Sequence, residues 1–115
     1  MGNAAVSIGN RAENLAADYL IRHGLRLVDR NFRCRGGEID LIMGDGPVLV
    51  FVEVRARADA AFGGAAESPT SAKQARIILA ARHYLARHGL DAPCRFDAVL
   101  VDGGKLSWLR NAFDA

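Results

Sequence analysis

The stretch Val48-Leu49-Val50-Phe51-Val52-Glu53-Val54-Arg55-Ala56-Arg57 decides the fold. Its first five residues form an unbroken apolar run, the pattern of a central strand covered on both faces. Its end changes character. Because side chains alternate along a strand, Leu49, Phe51, Glu53, Arg55 and Arg57 share one face, and a buried strand delivers three charges in succession to one side. Removing an ionised group from water costs several kcal/mol unless another charge or a metal offsets it, so Glu53 needs a partner. The candidates are an ion pair with Arg55, Arg57, Arg33 or Arg95, or a metal ion.

Upstream, residues 10–23 place Ala12, Leu15, Ala16, Tyr19 and Leu20 on one helical stripe, with Gly24 at the C-cap position and Glu13 at the stripe's edge. Residues 25–34 turn extended, and the Arg35-Gly36-Gly37 corner reverses them into a second strand. On that strand Ile39, Leu41 and Met43 are expected on one face, with Glu38, Asp40 and Ile42 on the other. Downstream, residues 58–71 are rich in Ala, Gly and Ser and lack periodicity, which reads as a loop. A helix over 72–88 opens after Thr70 and Ser71, closes at Gly89 and turns Ile77, Ile78, Ala81, Tyr84 and Leu85 inward. Its other face carries Lys73, Arg76, His83 and Arg87, and it contains no acidic residue. Strands over 95–101 and 105–109 flank an Asp102-Gly103-Gly104 turn. The order αβββαββ, with the second helix as a crossover between parallel neighbours, predicts an α/β fold: a mixed five-stranded sheet flanked by helices.

The 115 residues, 15 basic and 13 acidic, leave room for one domain across 1–115, with an ordered core of about 9–113. Half the residues are hydrophobic and 24% charged, which excludes disordered and fibrous classes. The longest apolar run, 48–52, is far short of the roughly 20 residues that span a bilayer, so no membrane segment is expected. Residues 1–8 lack the basic-then-apolar pattern of an export signal, which makes the cytoplasm the expected location and Cys34 and Cys94 reduced packing residues. Gly63-Gly64 has no following Lys-Ser or Lys-Thr, so a phosphate-cradling nucleotide loop is not indicated.

Asp40 lies at mid-strand in the arm that precedes the decisive stretch, and antiparallel pairing across the short turn brings it toward Glu53. Glu13 borders the helix face that must pack on the same sheet. Oxygen ligands from two strands and a helix suit Mg²⁺ or Mn²⁺, which take carboxylates and keep waters for a substrate phosphate. With Arg55 two positions after Glu53, the set reads as a phosphodiester site.

Asp40 followed by Glu53-Val54-Arg55 resembles the D…(D/E)xK signature of the restriction-endonuclease-like nucleases, and the helical Glu13 resembles the Holliday-junction resolvases of archaea. More specific is the set Gly36-Gly37-Glu38-Ile39-Asp40-Leu41-Ile42, Val50-Phe51-Val52-Glu53-Val54-Arg55, Phe62-Gly63-Gly64-Ala65-Ala66, Lys73-Gln74 and Cys94-Arg95-Phe96-Asp97. It is similar to the YraN family of small bacterial proteins from about Gly9 to Phe113. The resemblance implies a restriction-endonuclease-like, resolvase-like core and an endonuclease acting on DNA phosphodiester bonds, including branched or distorted DNA. It implies Mg²⁺ or Mn²⁺ held by Glu13, Asp40, Glu53 and the Val54 carbonyl, and a homodimer for paired cuts. Arg55 stands where those nucleases place lysine. Arginine can clamp a phosphate but stays charged, so it cannot take a proton from water. Lys73 would supply the missing amine if its helix end faces the site.

The same residues admit a different class of function, a nucleic-acid-binding or adaptor module that keeps the fold without catalysis. Arg30, Arg33 and Arg35 around the glycine corner and Arg55 and Arg57 at the strand end are the expected phosphate contacts, joined by Lys73 and Arg76 on the basic helix face. A protein partner on the Ala- and Gly-rich loop is a third reading. Glu38 joins the acids or belongs to the turn. Asp97 is expected to pair with an arginine, His23 to contact the last carbonyls of its helix, and Trp108 and Phe113 to plug the core.

Overall fold

Leu49, Val50, Phe51 and Val52 are all buried, because their strand lies in the middle of a sheet with a helix on each face. The computed structural model describes residues 4–56 and 69–115. Its elements run α1 (Ala4–Arg22), β1 (Arg26–Cys34), β2 (Gly37–Asp45), β3 (Val48–Ala56), α2 (Ser71–His88), β4 (Cys94–Asp102) and β5 (Lys105–Phe113). The strands pair in chain order; β3 and β4 run parallel and the other three pairs antiparallel. The fold is therefore the α/β, mixed five-stranded sheet that the order αβββαββ predicts, and it agrees with the resolvase-like core that the resemblance implies. The loop read over 58–71, and with it Arg57, falls largely outside the described residues.

The alternation of β3 feeds two cores. Val50 and Val52 join Leu41, Met43, Val99 and Val101 beneath α1, whereas Leu49 and Phe51 join Ile42, Phe96, Phe32 and Ile39 beneath α2. Full burial of a side chain such as Phe51 contributes about 1.5–3 kcal/mol. α1 meets the sheet through Ala12, Ala16, Ala17 and Leu20, a mostly small set that lets the helix approach closely. Its stripe is thus rotated from the expected one: Ala17 is inside and Leu15 is 37% exposed.

Two other departures have local causes. Ile39 packs under α2, not on the α1 side with Leu41 and Met43. β1 carries Asn31 in the left-handed region at φ 53° next to this position. The corner is also drawn against α2, since a Cβ on Gly37 would lie 2.3 Å from the Arg76 carbonyl oxygen. Second, β5 continues to Phe113 instead of stopping at 109. Asn111, also at φ 53°, makes a bulge whose N–H donates to Asp97 Oδ1 at 2.9 Å, after which Phe113 stacks on Phe96.

The caps are those the sequence indicates. Thr70 Oγ1 accepts from the Lys73 N–H, and Gly89 takes a left-handed conformation at the end of α2. His23 Nδ1 lies 2.7 Å from the Tyr19 carbonyl oxygen. Both cysteines are free; Cys94 is exposed instead of packed because it opens β4 at the sheet's end. Among the described residues no helix is long and apolar enough to cross a membrane.

Candidate functional site

The β2–β3 ladder ends at the pair Leu41 and Val52, so the next residues in register are Asp40 and Glu53. Beyond that point the Asp40 side chain takes over the ladder's role: its Oδ2 accepts the Val54 N–H at 2.8 Å. Sheet geometry thus holds two carboxyls together where the strands separate. Glu53 is only 6% exposed. The Asp40 carboxyl is pushed from 3.8 up to about 7, first by burial, then by the charge of Glu53, with smaller upward contributions from Glu13 and from a hydrogen bond with Glu53. The Val54 N–H pulls the other way without prevailing.

α2 closes over this pair. Lys73, in its first turn, places Nζ 3.0 Å from Glu53 Oε2. Glu53 therefore finds its cation on the helix and not at Arg55, Arg33 or Arg95. Glu38, Asp40, Glu53, Val54, Lys73, Arg76 and Ile77 enclose a cleft of about 190 Å³. Arg55 is half-buried on β3 and is not part of its lining. Glu13 approaches from α1. Its Oε1 lies 3.6 Å from Arg30 Nη2, too far for a hydrogen bond, and is a buried oxygen without a hydrogen-bonding partner among the described residues. Its charge reaches Asp40. The three acids do not close into a ready ligand set: among the described residues no three His, Cys, Asp or Glu side chains are placed to hold a metal ion together. The donors that fit a hard cation are the Asp40 and Glu53 carboxylates and the Val54 peptide in the same cleft, together with the orphaned Glu13 oxygen. Mg²⁺ is commonly held by only one or two carboxylates, with waters completing its shell.

The expected basic contacts are divided among three situations. Arg30 is engaged with Glu13. Arg33 and Arg76 line a second, open cleft of about 560 Å³ with Cys34, Gly36, Gly37 and Glu38. Arg35 is exposed at the corner, and Arg57 lies outside the described residues. The basic face of α2 is likewise split, since Arg87 stacks over the Phe32 ring while Lys73 and Arg76 turn to the clefts. Asp97 is structural, as expected. Fully buried, it accepts from Arg95 Nε at 2.9 Å and Nη2 at 3.0 Å, from Trp108 Nε1 at 2.9 Å and from the Asn111 N–H.

Sequence reasoning misses Gly37 as the residue that seats α2 over the acids. The doublet carries the signal. Gly36, at φ 86°, satisfies the turn alone, so a second glycine without a positive φ marks a close approach.

The family described as "Uncharacterised protein family UPF0102" matches residues 12–101. This chain belongs to UPF0102. That family is the YraN family whose motifs the sequence carries. The chain is similar to UPF0102 proteins of Nitrosomonas europaea, 54% identical over 97% of this chain and 98% of that protein, and of Dechloromonas aromatica, 58% identical over 93% and 88%. It is also similar to one from a Janthinobacterium species, 53% identical over 93% and 87%. The segment matched to UPF0102 contains Glu13, Asp40, Glu53 and Lys73.

Proposed function

We propose that this UPF0102 protein is a divalent-metal-dependent endonuclease that hydrolyses DNA phosphodiester bonds, including those of branched or distorted DNA. The observation that carries the reading is the carboxyl pair Asp40 and Glu53, held beyond the end of a ladder with the Lys73 ammonium 3.0 Å from Glu53 Oε2. Crowding two acids in a buried cleft raises the Asp40 carboxyl to about 7, a cost that a structural role does not require and a cation removes. Asp40, Glu53 and the Val54 carbonyl would hold Mg²⁺ or Mn²⁺, with Glu13 behind Asp40. Such an ion, when bound, lowers the pKa of water and neutralises phosphate charge.

The chain's own groups supply the rest. The Lys73 side chain is 49% exposed, so its ammonium can pair with Glu53 and still face a phosphate in the cleft. It takes the place of the amine that Arg55 cannot provide, because a lysine can give up a proton and arginine cannot. Hydrolysis bonds the water oxygen to phosphorus, breaks one bridging P–O bond and delivers a proton to the departing oxygen.

A nucleic-acid-binding or adaptor module without catalysis is the second reading. It is favoured by the absence, among the described residues, of three ligating side chains placed around one point. Isothermal titration with Mn²⁺, wild type against Asp40→Ala, combined with duplex, junction and flap DNA incubated with Mg²⁺ or Mn²⁺, separates the two. The nuclease reading expects metal binding lost in Asp40→Ala and cleavage abolished in Asp40→Ala and Glu53→Ala proteins that remain folded. Intact DNA throughout the panel overturns it.

A further inference from the structure

The arginines of this chain sort by position. Arg95 and Arg110 are tied to Asp45, Arg30 to Glu13, and Arg26 to the Gly46 carbonyl. Arg33 and Arg76, by contrast, are exposed and form no ion pair with a described residue, and both line the open groove beside the acid cleft. That groove adjoins the cleft, since Glu38 and Arg76 line both. Gly36 and Gly37 also line the groove. Glu38, exposed and opposite Arg33 in the hairpin register, is the only acid of the groove among the described residues and is outnumbered by the two guanidiniums.

We infer that this groove binds a single DNA strand, with Arg33 and Arg76 holding phosphates next to the one placed over Asp40 and Glu53. The inference rests on the nuclease reading for what lies in the acid cleft. Glu53, at the acid end of this path, is only 6% exposed, and a flexible single strand can lower a phosphate to so recessed a carboxylate where the fixed helical shape of a duplex resists it. The strand leaves the acids toward the β1–β2 corner and not along the end of β3 past Arg55. The substrate class is accordingly DNA with a single-stranded flank, such as a flap or a tailed duplex.

The test is fluorescence anisotropy in EDTA, where no metal is present to support cleavage, with a labelled single-stranded oligonucleotide and a blunt duplex of the same sequence. Arg33→Gln/Arg76→Gln is expected to weaken single-strand binding about tenfold and to lower the log–log salt slope by about 1.4, the release of roughly 0.7 counterion for each of two phosphates. Arg33→Lys/Arg76→Lys retains binding, and Arg82→Gln, an exposed arginine on α2 outside both clefts, changes nothing. Equal affinity of the double glutamine variant and wild type overturns the inference, as does tighter binding of the blunt duplex or of single-stranded RNA. The two readings fail separately. Arg33- and Arg76-dependent binding without Mn²⁺-dependent cleavage keeps the groove and removes the nuclease, while wild-type cleavage of tailed DNA by the double glutamine variant removes the groove and keeps the nuclease.

Discussion

Replacing Asp40 by asparagine removes one of two carboxyls crowded at the end of the β2–β3 ladder while keeping an oxygen that accepts the Val54 N–H. The Asp40 carboxyl takes its proton at about 7 in the folded protein and at 3.8 in the unfolded chain, so the fold binds the proton more tightly than the unfolded chain does. Its ionised form is therefore a liability that is greatest above pH 7, shrinks as pH falls through 7, and vanishes below 3.8. At about 1.4 kcal/mol per pH unit the displacement amounts to roughly 4 kcal/mol, and water at the cleft side of the carboxyl screens this to about 2 kcal/mol. Metal-free Asp40→Asn protein is expected to exceed wild type by about 2 kcal/mol at pH 8, or about 10 °C in Tm, with the advantage fading between about pH 7 and pH 4. Urea unfolding in EDTA across that range measures it. An asparagine variant that is less stable at pH 8, or an advantage that does not change with pH, refutes the picture of Asp40 as a crowded carboxyl that folding makes harder to ionise.

Gly37→Ala puts a Cβ 2.3 Å from the Arg76 carbonyl and is expected to cost about 2–3 kcal/mol in denaturant unfolding, whereas Gly104→Ala, with open space around it, costs almost nothing. Asp97→Ala leaves the largely buried Arg95 guanidinium, the Trp108 N–H and the Asn111 N–H without their acceptor, and a loss of about 3–5 kcal/mol is expected, with Trp108 fluorescence reporting the change. Lys73→Met is expected to slow Mn²⁺-supported DNA cleavage about 100-fold while Mn²⁺ binding by calorimetry persists. Arg55→Met, outside the cleft lining, is expected to slow it less than tenfold; the reverse ranking would return the catalytic cation to β3.

The residues of 48–57 and their neighbours determined the architecture by themselves, because alternation, helical spacing and glycine corners are local properties that survive translation into three dimensions. They also singled out Asp40 and Glu53, since a short antiparallel turn leaves little freedom in which residues meet. Which cation answers Glu53 was decided only by the tertiary structure. Arg55 and Arg57 are near along the chain, but Lys73 arrives on α2, whose height over the sheet depends on Gly37 meeting the Arg76 carbonyl. The same holds for the arginines. Sequence presents Arg30, Arg33 and Arg76 as equals, and packing engages Arg30 with Glu13 while leaving Arg33 and Arg76 along one groove. Strand periodicity fixes the side of the sheet on which a side chain stands, whereas the partner it meets is set by how helices seat on that sheet, a matter of contacts between residues distant in the chain.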